Sequence, residues 1–236
     1  MRTIQPEELK TILESHAKWL CGEGGERANL RGASLRDANL RGASLRDADL
    51  SDADLSSANL YCANLSRADL IGADLSRADL IGANLSRADL IGANLYCADL
   101  SSANLYCADL RGADLSDADL RNANLSSANL RGANLSDADL RNANLSSANL
   151  RGANLNGGVG NMEQIKSLQL EEWPVTYTAE RLQIGCQNHT IDEWRTFTDS
   201  EIQKMDEKAL GWWSKYKALI FLTIETSPAE PTGASV

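Results

Sequence analysis

Cys186 and His189 are the one pair whose residue types and spacing suggest covalent chemistry. A cysteine nucleophile beside an imidazole base still needs a third group to orient the base. A metal centre needs three or four ligands. The sequence supplies neither set, so both residues read as structural. No catalysis and no cofactor are expected. Cys21, Cys62, Cys97 and Cys107 are widely spread. They show neither zinc spacing nor a disulfide framework. Five reduced thiols fit a cytoplasmic protein.

Charge narrows the partners. The chain has 236 residues and a net charge of −10. Residues 1–26 contribute −2, residues 27–155 contribute −3 and residues 156–236 contribute −5. Binding to a phosphate backbone needs clustered Lys and Arg. Direct contact with nucleic acid is therefore not expected, whereas a basic protein surface remains compatible. Met1 to Leu20 is charged and has no apolar signal core. The apolar run Ala218 to Leu222 is far too short to span a bilayer.

The elements that would position these side chains are set by one period. Ala stands at 28, 33, 38 and every fifth residue to 153, and Leu at 30, 35, 40 and every fifth residue to 155. That makes 26 units without exception at either position. The residue between Ala and Leu is always Asn, Asp or Ser. A helix would spread Leu at five-residue steps around its axis. A plain strand would send successive Leu to opposite faces. A short extended segment followed by a corner satisfies the period, with Ala and Leu inward together.

The unit Ala-(Asp/Asn)-Leu-x-x resembles the pentapeptide-repeat family. The resemblance covers residues 27–155. It implies an all-β solenoid, a right-handed quadrilateral β-helix with four pentapeptides per coil. Stacking at about 4.8 Å per coil would give a rod roughly 30 Å long. Residues 20 apart would then lie in columns. Asp49, Asp69, Asp89 and Asp109 form one acidic column, and Asp79, Asp99, Asp119 and Asp139 another. Asn64, Asn84, Asn104, Asn124 and Asn144 form an amide ladder, and Arg111, Arg131 and Arg151 a basic column. Ile71 stacks with Ile91, and Tyr61 with Ile81 on the opposite face. The eight aspartates are the candidate interaction surface. Quinolone-resistance members of the family are proposed to imitate DNA when they bind DNA gyrase. Against that reading, Arg67, Arg77 and Arg87 offset the acidic columns. Residues 27–155 also lack the interrupting loops frequent in gyrase-directed relatives. Glycine-rich calcium repeats and the threonine arrays of ice-binding faces are absent from residues 27–155.

Open coil edges invite aggregation unless covered. A helical cap is expected over residues 1–26. Pro6 suits its first turn and Gly22 its stop, with Leu9, Ile12, Leu13, His16 and Leu20 on one face. His16 there reads as a packing residue, not a ligand. Residues 156–236 form the other cap. Asn156-Gly157-Gly158 reads as a turn or linker, followed by β-like runs at 164–170, 175–178 and 182–185. A helix should start near Asp199 or Ser200, with an apolar stripe of Ile202, Met205, Ala209, Trp212, Tyr216 and Leu219, and stop at Ser227-Pro228. Residues 228–236 read as a loose tail. The ends resemble uncharacterised bacterial and phage pentapeptide proteins. The shared features are His16-x-x-Trp19-Leu20, Val175 to Thr178, Leu182 to Cys186, His189 and the Trp212-Trp213 helix. That set implies no activity. The chain reads as a monomer, or as a dimer through the C-terminal helix.

Residues 111–130 and 131–150 differ only by Asp114 against Asn134. Such regularity between irregular ends points to a designed or consensus-regularised repeat, with recent natural duplication as the competitor. The expected role is a non-catalytic structural scaffold that requires no partner. The alternative is a protein-interaction module that mimics DNA.

Overall fold

The computed structural model describes residues 2–232. The repeat begins with a corner. The Ala33 N–H donates to the Leu30 carbonyl at 3.0 Å, closing a four-residue turn, and the same bond recurs unit after unit. Every fifth residue from Gly32 to Gly157 has φ between 54° and 72°. A turn closed in this way, with positive φ at its third residue, has the signature of type II. Glycine takes that position freely, but Arg67, Arg77 and Arg87 are held there too.

The extended part of each unit pairs with the unit 20 residues on. The Asp69 N–H donates to the Ala48 carbonyl at 2.9 Å, and the Leu50 N–H to the Asp69 carbonyl at 2.8 Å. Parallel bridges at this spacing run from Asn29↔Asp49 to Asp139↔Val159. Four five-residue sides thus make each coil. Ala and Leu of successive sides form one continuous core, with Leu45 to Leu135 almost wholly buried. Each buried Leu contributes about 2 kcal/mol, opposed by the ordering of its backbone.

The ladder passes Leu155 by one degenerate unit, Asn156 to Gly160. Asn156 and Gly157 form the turn that the sequence pattern suggested, and Val159 just beyond it pairs with Asp139. Gly160 stands where a Leu would be expected, and Ile165 folds against it so closely that a Cβ would collide with the Ile165 carbonyl. Ile165 is 1 % exposed and joins the coil core in place of the missing side chain.

At the N-terminal end, β1 (Arg2–Thr3) pairs in parallel with β2 (Ala33–Ser34) on the first coil. Helix α1 (Pro6–Cys21) follows, with proline in its first turn. It stops at Gly22, whose φ of 73° lets its N–H reach Lys18 and Trp19 carbonyls. Ile4 and Leu9 close the core, with Ile12 and Leu13 packed at its margin.

At the C-terminal end, β3 (Lys166–Leu170), β4 (Trp173–Tyr177), β5 (Arg181–Ile184) and β6 (Gln187–Thr190) form an antiparallel meander. Helices α2 (Ile191–Thr196), α3 (Asp199–Gln203) and α4 (Ala209–Thr226) pack against it around a second core rich in tryptophan. The sequence pattern suggested one helix from Asp199 to Ser227. It is two, because Asp206 closes a turn between them, accepting from the Lys208 and Ala209 N–H groups. Leu219, expected inside, is exposed, and Ile220, Phe221 and Ile224 are buried instead. The tail is not loose through Thr232. The Glu230 N–H donates to the Glu163 carbonyl at 2.8 Å, and the Thr232 carbonyl accepts from the Ser147 N–H. Residues 233–236 of the expected tail lie outside the described residues.

Candidate interaction surface

The two acidic columns are real ladders. Asp49, Asp69, Asp89 and Asp109 bridge in series, as do Asp79, Asp99, Asp119 and Asp139. The columns are ten residues apart, half a coil, so they stand on opposite sides. One flat partner surface cannot cover both.

Each of these carboxylates has a local task. Asp69 Oδ1 accepts from the Ile71 N–H at 3.1 Å, Asp79 from Ile81 at 3.1 Å and Asp89 from Ile91 at 3.2 Å. Asp49, Asp99, Asp109, Asp119 and Asp139 accept in the same way from residue i+2. Asn59, Asn94 and Asn104 do likewise. The middle slot therefore calls for a short side chain with an oxygen that receives the corner N–H. Charge is incidental to that task.

Arginine meets several of the carboxylates. Arg111 binds Asp109 at 2.7 Å, Arg121 binds Asp119 at 2.5 Å and Arg141 binds Asp139 at 2.5 Å. The Arg121 hydrogen bond holds Asp119 below the usual carboxylate range, and Arg141 does the same for Asp139. Burial pushes Asp49 up, but hydrogen bonds from Ser51 outweigh it and leave the carboxyl below its usual value. Asp69, Asp79, Asp89 and Asp99 make no ion pair among the described residues. Duplex DNA carries one negative charge per about 1.7 Å of axis. A net charge of −3 on residues 27–155, over roughly 30 Å, is about sixfold sparser.

Of the expected amide ladder, the rungs among Asn84, Asn104 and Asn124 carry side-chain hydrogen bonds, and further rungs appear elsewhere. Asn124 donates to Asn104 at 3.2 Å, and Asn104 to Asn84 at 3.5 Å. A second run, not anticipated, links Asn134 to Asp114 at 3.0 Å and Asn154 to Asn134 at 2.9 Å. Gln183 extends it into the C-terminal cap, donating to Asn154 at 2.6 Å while its Oε1 accepts the Leu155 N–H at 2.8 Å. Asn188 and Asn161 bind the Ala153 and Ala143 carbonyls, each at 3.0 Å. Three side-chain amides thus stand in for the missing next coil. Their positions in β5, β6 and a loop gave no sequence signal.

Cys186 and His189 are not brought together. Cys186 is exposed in the β5–β6 turn and touches the Gln187 amide at 3.8 Å. The His189 ring packs edge-on to Trp194 and Phe197 at 5.6 and 4.9 Å between centroids. The five cysteines are free thiols. Among the described residues no cluster of His, Cys, Asp and Glu could hold a metal ion. No helix among them is long and apolar enough to cross a membrane.

A family model for pentapeptide repeats matches eight copies, lying within residues 26–60, 48–87, 58–95, 83–122 and 118–157. The chain belongs to the pentapeptide-repeat family. Among solved structures, this pentapeptide-repeat protein is similar to HetL, a pentapeptide repeat protein involved in heterocyst differentiation regulation from the cyanobacterium Nostoc sp. strain PCC 7120. Identity there is 38 %, over 56 % of this chain and 68 % of HetL, with a TM-score of 0.35. A second pentapeptide repeat protein of Nostoc PCC 7120 is 42 % identical, over 46 % of this chain and 80 % of that one, with a TM-score of 0.32. Full-length QnrB1, a plasmid-mediated fluoroquinolone resistance protein, is 16 % identical, over 58 % of this chain and 86 % of QnrB1, with a TM-score of 0.39. A comparison with curated proteins finds no match.

Proposed function

We propose that this pentapeptide-repeat protein is a non-catalytic structural scaffold. Its repeat is read as a right-handed quadrilateral β-helix between caps at residues 1–26 and 156–236. One observation carries the reading. Every aspartate of the two columns accepts its own corner N–H, so the acidic side chains are explained by the turn they build. The near-identity of residues 111–130 and 131–150 supports a designed or consensus-regularised repeat. Five free thiols favour the reducing cytoplasm.

A second reading keeps one specific support. Asp69, Asp79, Asp89 and Asp99 carry no ion pair among the described residues and are flanked by Ile71, Ile81 and Ile91. A basic protein surface, such as one on DNA gyrase, would suit one of the two columns at a time, Asp69 with Asp89 or Asp79 with Asp99. The two readings separate in a gyrase supercoiling assay titrated with the purified protein beside an unrelated acidic protein. The scaffold predicts no inhibition beyond the control. Selective inhibition at low micromolar concentration would overturn it in favour of the acidic columns.

A further inference from the structure

His16 is 0 % exposed, although it lies on a helix at the end of the molecule. Both ring nitrogens meet backbone of the first coils. The Ala28 N–H donates to Nδ1 at 3.1 Å, and Nε2 lies 3.1 Å from the Arg46 carbonyl. An amide N–H can only donate and a carbonyl can only accept. Nδ1 must therefore be bare and Nε2 must carry the hydrogen. The imidazolium, with a proton on both nitrogens, cannot satisfy this arrangement.

We infer that α1 is a pH-sensitive latch on the N-terminal coil edge, released when His16 takes up a second proton. Protonation sets two N–H groups against each other at Ala28 and removes the bond that fastens the helix there. The charged groups facing the ring come from the coil: Arg27, Arg46 and Asp47. They do not offer the imidazolium a clear partner, because Asp47 is already engaged. Its carboxylate accepts from Arg46 Nε at 3.1 Å, and its carbonyl from Arg27 Nε at 2.6 Å. On α1 itself the nearest ring is Trp19, stacked at 5.5 Å between centroids. Burial, with the two arginines, holds the His16 pKa below its ordinary 6.5 despite the Arg46 carbonyl and Asp47.

The sign follows from linkage. The undocked helix titrates near 6.5 and the docked helix lower, so docking is fully favoured above 6.5. It weakens about tenfold per pH unit as pH falls from there through the lowered value. The test is an NMR titration of the full chain with labelled histidine, from neutral to mildly acidic pH, alongside hydrogen-exchange protection of the α1 amides. The expected result is an Nε2–H tautomer for His16 at neutral pH, titration below 6.5, and α1 protection lost through the same window. The variant His16→Gln offers an acceptor and a donor that do not titrate, and its α1 protection should stay flat. Titration of His16 at or above 6.5 would overturn the latch. So would protection that stays constant while His16 titrates, or that falls with the same midpoint in His16→Gln. If the variant does not fold, the wild-type titration decides alone.

Discussion

Aspartate and asparagine alternate within single columns because the slot between Ala and Leu asks for an oxygen, not a charge. Asp79 accepts from the Ile81 N–H, and Asn59, one coil earlier, accepts from Tyr61 with the same geometry. Replacing Asp79 with Asn should leave stability nearly unchanged. Replacing it with Ala should cost about 1 kcal/mol, the value of one lost hydrogen bond to a corner amide. Chemical denaturation of both variants measures the contrast, and equal losses would show that charge matters after all. The corner itself is tested at Gly92, where φ is 64° and an added Cβ meets no atom within 4 Å. With no clash to relieve, Gly92→Ala should cost about 1–2 kcal/mol through left-handed backbone strain alone.

At the level of elements, the ends decide whether the coils stay closed. A stacked array is weakest at its terminal coils, where one neighbour is missing. Gln183 supplies that neighbour from β5, being 4 % exposed and bonded to both Leu155 and Asn154. Gln183→Ala would leave the buried Leu155 N–H without its acceptor, at a cost of about 1–3 kcal/mol. Hydrogen exchange should show the loss confined to the last coil and β5. Helices α2 and α3 each begin with a reciprocal cap, Thr190 with Glu193 and Thr198 with Glu201. The Thr-x-x-Glu spacing at both starts is that of a capping box. Thr198→Ala should lower stability by about 1 kcal/mol, seen as a shift in the denaturation midpoint.

For the whole molecule, the coil length of 20 residues sets how a deletion turns one cap relative to the other. Removing residues 111–130 takes out one full coil and returns every side to its column. The product should fold and unfold cooperatively as a shorter stack. Removing residues 111–120 takes out half a coil, yet every remaining unit still turns its Ala and Leu inward, and the cap moves with the units that carry its contacts at Ala143, Ala153, Asn154 and Leu155. That deletion should also unfold cooperatively, with the two caps turned half a coil relative to each other. Circular dichroism melts of the two proteins make the comparison, and loss of cooperative unfolding in the half-coil deletion alone would show that the caps must keep a fixed angle around the stack.

The sequence alone determined the repeat, its inward Ala and Leu, and the short helix that starts at Pro6 and ends at Gly22. Those features are local or strictly periodic, so a single unit carries the information for all 26. It also marked the candidate aspartates as columns, but not what their oxygens do. The tertiary structure decided what depends on contacts between distant segments. Strand β6, Gln187–Thr190, has no apolar alternation and exists because it pairs with β5. The buried face of α4 follows the sheet it covers, with Trp212 donating to the Leu170 carbonyl at 3.0 Å. His16 reads in sequence as one more residue on a helix face. Only the coil folded beneath that face supplies the amide and the carbonyl that give its two nitrogens opposite tasks.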